Sequence, residues 1–255
     1  MIEMLESTFI HCPGVGIKKE QLLWEQGALN WSLFLQGEGR KALNSSFDQQ
    51  AEIRVRESCE RLENEDYAWF SKLIPAREQW RAWSSFRHRV AFLDIETTGG
   101  FSSDDLTVIG VYNGREVRQY VKGQNLGDFP EDIEYAALLV TFFGTGFDLP
   151  FLRRAYGIHF PQIHIDLCYL LKRLGYSGGL KNVEKRLGIQ REDDILGMDG
   201  MDAIRLWNEW QRGNRRSGDL LLEYNRADIM GLETLMGIAW PLMIQKSGYP
   251  LATTG

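Results

Sequence analysis

The sequence predicts an α/β fold that follows a helical N-terminal segment. Five short apolar runs bounded by turn-forming residues are typical of buried strands, and they lie at residues 90–99, 106–112, 115–121, 138–143 and 163–168. Helical patterns separate the fourth run from the fifth and continue after it. The segment before the first run shows helical patterns. We therefore expect a helical module at residues 1–86 and an α/β domain at residues 87–255.

The first distinctive pattern of the N-terminal module is a Gly-Val-Gly turn, with Gly14 and Gly16 at its ends. A short helical pattern follows the turn, and Asn30 can cap a second one. Such a turn resembles a helix-hairpin-helix, in which glycines let the backbone approach a phosphate. Lys18 would add charge attraction. The same pattern also occurs where a turn only joins two packed helices, so both interpretations stay open.

The remainder of the N-terminal module is predicted to be helical. Residues 46–73 carry spaced apolar residues among many charges, which indicates one long amphipathic helix. Pro75 can open a further helix through Trp80, Trp83 and Phe86. Aromatic residues at helical spacing usually belong to the core, and we expect that here.

The first strand of the α/β domain carries two acids, Asp94 and Glu96. Side chains alternate along a strand, so both acids point to one face. Two carboxylates on one face of a buried strand repel each other and are costly to desolvate. A bound divalent cation would remove both costs; the alternative is a pair at a wet strand edge. Asn113-Gly114 is a hairpin signal, which makes the first three strands antiparallel.

Three further acids have weaker local signals. Asp148 follows the fourth strand run at the start of a helical pattern, where a helix cap is the simplest explanation. Asp166 ends the fifth run, and we expect a structural role for it as a cap or a supporting partner. Tyr224 and Asp228 are four residues apart in the helical pattern of residues 218–235, so they share one helix face. By spacing alone, a surface pair is equally consistent.

The composition limits the class of protein. The chain has 255 residues and a net charge of −6, so any basic surface that binds nucleic acid must be local. Cys12, Cys59 and Cys168 are widely spaced and odd in number, which argues against a zinc cage or a disulfide framework. The N-terminus lacks a basic start typical of signal peptides, and we find no uninterrupted apolar run of membrane-spanning length. We expect a cytoplasmic protein with no membrane association.

Taken in order, these acids resemble a known pattern. Asp-Ile-Glu-Thr-Thr-Gly at residues 94–99, Gly-Thr-Gly-Phe-Asp at 144–148 and Tyr-Asn-Arg-Ala-Asp at 224–228 are similar to the three motifs of the DEDDy branch of the RNase H-like 3′–5′ exonucleases. The resemblance covers residues 89–240 and is greatest to the YprB-like predicted exonuclease domains. One departure is Phe143-Gly144, where family members often have Asn-Gly. This change should alter the hydrogen bonding of the strand end without removing a metal ligand.

The resemblance implies a fold and a set of roles. The fold is a mixed five-stranded sheet with helices on both faces. Two Mg²⁺ or Mn²⁺ ions roughly 4 Å apart would clamp the attacking and leaving oxygens. Asp94 would bridge the ions, Glu96 and Asp228 would complete one site, and Asp148 would act on the second ion through water. Tyr224 would orient the attacking water.

The expected function is therefore a metal-dependent 3′–5′ exonuclease that hydrolyses DNA or RNA. The expected partner is the 3′ end of a DNA or RNA strand, and the sequence does not identify any protein partners. Thr97 is a further candidate contact to nucleic acid. Two alternatives stay open: a nucleic-acid-binding module that keeps the fold with little turnover, and a structural protein whose acids are incidental.

Overall fold

The computed structural model describes residues 3–42, 45–190 and 197–251. The chain forms two compact units: Met1–His88 with Trp240–Gly255, and Arg89–Ala239. The predicted domain limits, 1–86 and 87–255, stay a prediction, because compact contact units need not be independently folding domains.

The first unit is built from helices. Its α-helices are α1 (Ile17–Glu25), α2 (Trp31–Leu35), α3 (Ser45–Glu63), α4 (Tyr67–Leu73) and α5 (Trp83–Phe86), with a 3-10 helix at Ala76–Ala82 before α5. The Asn30 side chain accepts a hydrogen bond from the Leu33 amide at 2.9 Å and caps α2, as predicted.

The prediction of one long helix over residues 46–73 is wrong. Helix α3 ends at Glu63, and α4 begins at Tyr67. Between them Glu65 takes a left-handed conformation with φ of 52°, which an α-helix does not contain. The Asp66 side chain then accepts from the Trp69 amide at 3.1 Å and caps α4. A local turn with its own cap therefore interrupts an otherwise continuous apolar pattern.

The core of the first unit is rich in aromatic residues. Trp80 and Phe86 are buried as predicted, together with Trp24, Trp31 and Phe70. A charged group lies among them: the Arg81 guanidinium contacts the Glu20 carboxylate at 2.7 Å, and both side chains are buried. Burial of such a pair is tolerated when each charge has hydrogen-bonding partners, and Glu20 also accepts from the Phe9 amide at 2.7 Å.

The second unit contains the predicted five-stranded sheet. Its strands are β1 (Val90–Thr97), β2 (Leu106–Tyr112), β3 (Val117–Val121), β4 (Leu138–Thr141) and β5 (Ile163–Asp166). They are ordered β3-β2-β1-β4-β5. The pairs β1–β2 and β2–β3 are antiparallel, whereas β1–β4 and β4–β5 are parallel. The mixed sheet is confirmed, and β1 is its central strand.

Helices cover both faces of this sheet. They are α6 (Phe129–Asp132), α7 (Asp148–Tyr156), α8 (Leu167–Arg173), α9 (Leu180–Arg186), α10 (Gly200–Gln211) and α11 (Arg215–Ser247). Leu93 and Ile95 of β1 belong to a core cluster with Phe151 of α7. Val108 of β2 packs on the opposite face with Trp207 of α10 and Leu221 of α11. Side chains alternate along β1, so its two acids point toward the face of α10 and α11.

Helix α11 has a length and composition that would suffice to cross a membrane, alone among the helices described. The predicted absence of an uninterrupted apolar run is a separate matter, because Asp228, Glu233 and Lys246 interrupt this helix. The expectation of no membrane association stays a prediction. Of its most apolar 18-residue stretch, 44% is buried in the protein, and Leu221 and Tyr224 pack against the sheet. Packed core helices of soluble proteins share this composition.

Candidate metal centre

Three carboxylates meet at one end of the sheet. Asp94 and Glu96 lie at alternate positions of β1, and Asp228 comes from α11, which packs over the same face. One oxygen from each of the three lies within 4.8 Å of the others. Glu96 and Asp228 are buried, and Asp94 is partly exposed. Such a set of oxygens matches the ligands that Mg²⁺ and Mn²⁺ prefer.

The electrostatics of this cluster favour a cation. Burial, followed by repulsion from Glu96, Asp148 and Asp228, raises the pKa of Asp94 well above its usual range. Burial and repulsion from Asp228 raise the pKa of Glu96 in the same way. Among the described residues, the buried Oε1 of Glu96 has no hydrogen-bond partner. A buried oxygen of this kind is costly unless a ligand compensates it. The residues present therefore fit a divalent cation.

Asp148 lies beside the cluster and has a different local role from the predicted cap. It is the first residue of α7 and follows Phe147 at the N-cap position, so it does not occupy the cap itself. Its Oδ1 accepts a hydrogen bond from the Ile95 amide at 3.1 Å, which ties α7 to β1. Burial raises the pKa of Asp148 to about 7. Asp148 lines the same pocket as Asp94, Glu96 and Asp228.

Asn225 holds the acids in place and was missed by the sequence analysis. Its Nδ2 donates to Asp94 Oδ2 at 3.2 Å, and a hydrogen bond from Asn225 also lowers the pKa of Glu96. In turn, Gln119 Nε2 of β3 donates to Asn225 Oδ1 at 3.0 Å. Asn225 is fully buried. The sequence offered one signal for Asn225: it lies three residues before Asp228, so the two side chains share one helix face.

Gly110 provides the space that Asn225 occupies. It pairs with Asp94 on one side and with Gln119 on the other, so these three residues form one row across the sheet. A Cβ atom at Gly110 would lie 2.2 Å from Asn225 Oδ1. A glycine inside an apolar strand often marks such a close approach. This row explains how the side-chain amide of Asn225, on α11, reaches the carboxylate of Asp94 on the central strand.

Lys181 is the second residue that the sequence analysis missed. Its Nζ donates to the Tyr224 hydroxyl and lies 3.6 Å from Asp228 Oδ2. The Lys181 ammonium also lies 3.8 Å from the centre of the Tyr224 ring, which is a cation–π contact. The predicted Tyr224–Asp228 pair therefore contacts one shared cation from α9.

A pocket of about 440 Å³ opens over the carboxylates. Its polar lining residues are the five predicted ones, Asp94, Glu96, Asp148, Tyr224 and Asp228, together with Thr97. Its apolar lining residues include Phe142, Phe143, Phe147 and Ile204. The pocket therefore combines a site for cations with a surface for an apolar group.

The predicted structural role of Asp166 is confirmed. Asp166 precedes α8 and accepts from the Cys168 amide at 3.1 Å, which caps that helix. The same carboxylate accepts from the Phe143 amide at 2.8 Å and from the Thr145 amide at 2.9 Å. It therefore fixes the loop that follows β4.

The other predicted nucleic-acid contacts, Gly14, Gly16 and Lys18, belong to the first unit. Gly14 has φ of 72°, and the Phe47 ring lies directly beside its Cα. Gly16 and Lys18 are exposed at the start of α1. A glycine is required at position 14 by its left-handed backbone, so the turn has a structural reason. Phosphate binding by this hairpin stays a prediction.

Comparison with known proteins identifies the family. No curated protein matches the chain. The structure of the family B DNA polymerase from the hyperthermophilic archaeon Pyrobaculum calidifontis is similar over 62% of this chain and 25% of that chain, with 18% identity and a TM-score of 0.47. The chain thus spans about a quarter of that polymerase. A family model described as the RNase_H superfamily matches residues 91–240, which is more than half of the chain. The chain therefore belongs to the RNase H superfamily, a group of nucleic-acid-processing nucleases.

Proposed function

We propose that this protein is a 3′–5′ exonuclease of the DEDDy type, related to the YprB-like exonuclease domains, that depends on Mg²⁺ or Mn²⁺. The observation that carries the proposal is the convergence of four acids and a tyrosine on one pocket: Asp94, Glu96, Asp148, Tyr224 and Asp228. Family membership supports nuclease chemistry in general. The arrangement of β1, α7 and α11 around the pocket supports the particular type.

The carboxylates would hold the cations. Asp94, Glu96 and Asp228 provide oxygens close enough to share one ion, and Asp148 lines the same pocket. When bound, divalent cations would activate water and neutralise charge on the scissile phosphate. The proposed substrate is the last phosphodiester of a DNA or RNA strand, bound with its 3′ end in the pocket.

Tyr224 would position the attacking water. Its hydroxyl accepts a hydrogen bond from Lys181, so its own proton is directed elsewhere and can be donated to a water or phosphate oxygen. The ring is buried in the cluster that joins α10, α11 and the sheet. Packing and the Lys181 contact thus fix the hydroxyl before substrate binds, which is the preorganisation that catalysis requires.

The proposal is tested with 5′-labelled DNA and RNA, single- and double-stranded, in Mg²⁺ and in Mn²⁺. We expect a ladder of products that keep the label and shorten with time, and we expect chelation of the metal to stop it. Immediate release of a labelled mononucleotide would show the opposite direction. Binding without any shortening, in either metal, would favour the alternative of a nucleic-acid-binding module.

A second test concerns Lys181. Replacing it with methionine keeps the apolar stem and removes a cation 3.6 Å from Asp228. We expect Mn²⁺ to bind on the order of tenfold more tightly, because a charge pair at this distance is worth at least about 1 kcal/mol. Turnover at saturating Mn²⁺ should fall by about tenfold or more, since Tyr224 loses its partner.

Lys185→Met is the matched control for this test, because Lys185 lies on the same helix and is exposed. Calorimetric titration with Mn²⁺ and steady-state rates would be measured for both variants. Equal Mn²⁺ affinity in wild type and Lys181→Met would show that Lys181 does not compete with the cation.

A further inference from the structure

Strand β3 lies at the edge of the sheet, with β2 as its neighbour on one side. The amide of Lys122, directly after β3, donates to the Thr107 carbonyl at 2.8 Å. Alternate residues of an antiparallel strand bond to the same neighbour. In the register of this pair, Val117, Gln119 and Val121 therefore turn their amides and carbonyls away from β2.

The Asn125 side chain covers one half of this outer edge. Its Oδ1 accepts from the Val121 amide at 2.8 Å, and its Nδ2 donates to the Gln119 carbonyl at 3.1 Å. One side-chain amide thus takes the place of a peptide unit of a neighbouring strand. Within the described ranges, no group pairs with the Val117 amide and carbonyl or with the Gln119 amide. An uncovered stretch of edge is a template for an added strand.

A cavity of about 410 Å³ adjoins the uncovered half of the edge. It lies between the β2–β3 hairpin and α6, and its lining includes Arg118 and Tyr120 of β3 together with Tyr135. Side chains of paired strands alternate between the two faces of a sheet in step. A segment that pairs with Val117 and Gln119 would therefore direct every second side chain to the face on which this cavity opens.

The cavity carries an excess of negative charge. Its charged lining residues are three acids, Glu116, Glu131 and Asp132, and one base, Arg118. Arg118 Nη1 lies 3.2 Å from Asp132 Oδ2, so these two charges compensate each other. In the part of the chain that the structure describes, Glu116 and Glu131 have no ion-pair partner. A cationic side chain of an occupant would complement them.

The ring of Tyr135 adds an aromatic surface to this cavity. It is 39% exposed, and its hydroxyl donates to the Val90 carbonyl at 3.2 Å, which fixes one end of the ring. Ammonium and guanidinium groups are attracted to the face of such a ring. Lysine and arginine combine that charge with an apolar stem, which Val111 and Tyr120 of the lining can contact. A second copy of this chain would instead bring the same excess of carboxylates to the interface.

We propose that residues 117–119 of β3 bind an extended basic segment of a partner protein, which adds a strand to the sheet and places a lysine or arginine side chain in the cavity. Backbone pairing supplies affinity, and the cavity selects the side chain. Val111 and Tyr120 belong to the core cluster on the α7 face, whereas Asp94 and Glu96 point to the face of α10 and α11. The partner therefore leaves the carboxylate pocket open.

The first test uses the complete chain and a short labelled peptide in which lysine alternates with valine. Fluorescence anisotropy measures its affinity. We expect the same peptide with glutamate in place of lysine to bind on the order of tenfold more weakly, because its charges repel those of the cavity. Spermidine carries similar charge without a peptide backbone and should compete poorly. Competition by spermidine as strong as by unlabelled lysine peptide would show that the strand edge contributes nothing, and would overturn the proposal.

Two variants separate the cavity from the edge. Glu131→Lys should weaken the lysine peptide about tenfold and strengthen the glutamate peptide. Glu134→Lys is the matched control, because Glu134 is an exposed acid that does not line the cavity. Val117→Pro removes an amide that does not pair with β2, a change that edge strands tolerate, and should weaken the lysine peptide about fivefold or more. Wild-type affinity in both Glu131→Lys and Val117→Pro would contradict the proposal.

Hydrogen exchange reads the edge directly in the wild-type protein, so the test does not depend on how the variants fold. Without peptide, the Val117 and Gln119 amides should exchange rapidly, whereas the Val121 amide is protected by Asn125. At a peptide concentration about ten times Kd, exchange at Val117 and Gln119 should slow about tenfold. Unchanged exchange at both amides would place the peptide elsewhere. Self-association of the chain that Val117→Pro abolishes would assign the edge to a second copy. Either result would overturn the proposal.

Discussion

Glu96→Gln is expected to abolish hydrolysis and, in the same protein, to raise the melting temperature of the metal-free form. Glu96 is buried, and one of its oxygens lies close to oxygens of Asp94 and Asp228. The amide keeps the shape and removes the charge that would hold a cation. Because metal ions supply several kcal/mol of transition-state stabilisation, we expect a loss of roughly a thousandfold or more.

The gain in stability follows from the raised pKa of Glu96. The folded protein holds this proton more tightly than the unfolded chain does. Above the unfolded pKa, ionisation in the folded state therefore costs free energy, so the metal-free wild type loses stability as pH rises. Glutamine has no proton to lose. We therefore expect Glu96→Gln to be more stable than the metal-free wild type at neutral pH, with the difference in stability shrinking as pH falls.

Thermal melting in chelator and in Mn²⁺ measures both effects. Wild type should be stabilised by Mn²⁺, whereas Glu96→Gln should respond weakly. Glu223→Gln is the control, because Glu223 is an exposed acid next to Tyr224. A lower melting temperature for Glu96→Gln in chelator would contradict the assignment of Glu96 as an electrostatically strained ligand.

Gly110→Ala is expected to damage the site through the sheet. The new Cβ would lie 2.2 Å from Asn225 Oδ1, so the buried amide must turn away from Asp94 and Gln119. A buried amide without partners costs about 1–3 kcal/mol, and we expect a comparable loss of unfolding free energy. Turnover should fall by roughly 10–100-fold, the usual effect of losing a partner that orients a metal ligand.

A double variant makes this prediction specific. Asn225→Ala removes the side chain that the alanine would strike, so Gly110→Ala should cost little further stability in that background. Full additivity of the two losses in chemical denaturation would contradict the contact. Gly237→Ala is the control, with an expected change in stability of opposite sign. Gly237 lies within α11 and has open space around its Cα. Alanine there should stabilise the helix by about 0.5–1 kcal/mol.

Local patterns predicted the frame of the site. Alternation placed Asp94 and Glu96 on one face of β1, and helical spacing paired Tyr224 with Asp228. The turn at Asn113 connects β2 to β3 as an antiparallel pair. These features depend on residues close together in the chain, where the periods of strand and helix are informative.

The residues that support the site could not be predicted in this way. Lys181 lies 43 positions before Tyr224, and Gln119 lies 106 positions before Asn225. Which face of α9 meets α11 depends on how helices pack on the sheet, and no local period encodes that. Similarly, the break at Glu65 depends on one backbone conformation that the apolar pattern of residues 46–73 does not reveal.

The central position of β1 has a consequence for the choice of cation. Asp94 and Glu96 both pair with β2, and β4 pairs with the preceding residues 90–92, so the two acids cannot move apart without disrupting the sheet. A loop could adjust its oxygens to an ion of almost any radius. Here the sheet sets the distance between Asp94 and Glu96, and the radius of a bound ion must match that distance. Selectivity by size would thus be a property of strand pairing, established before any ion arrives.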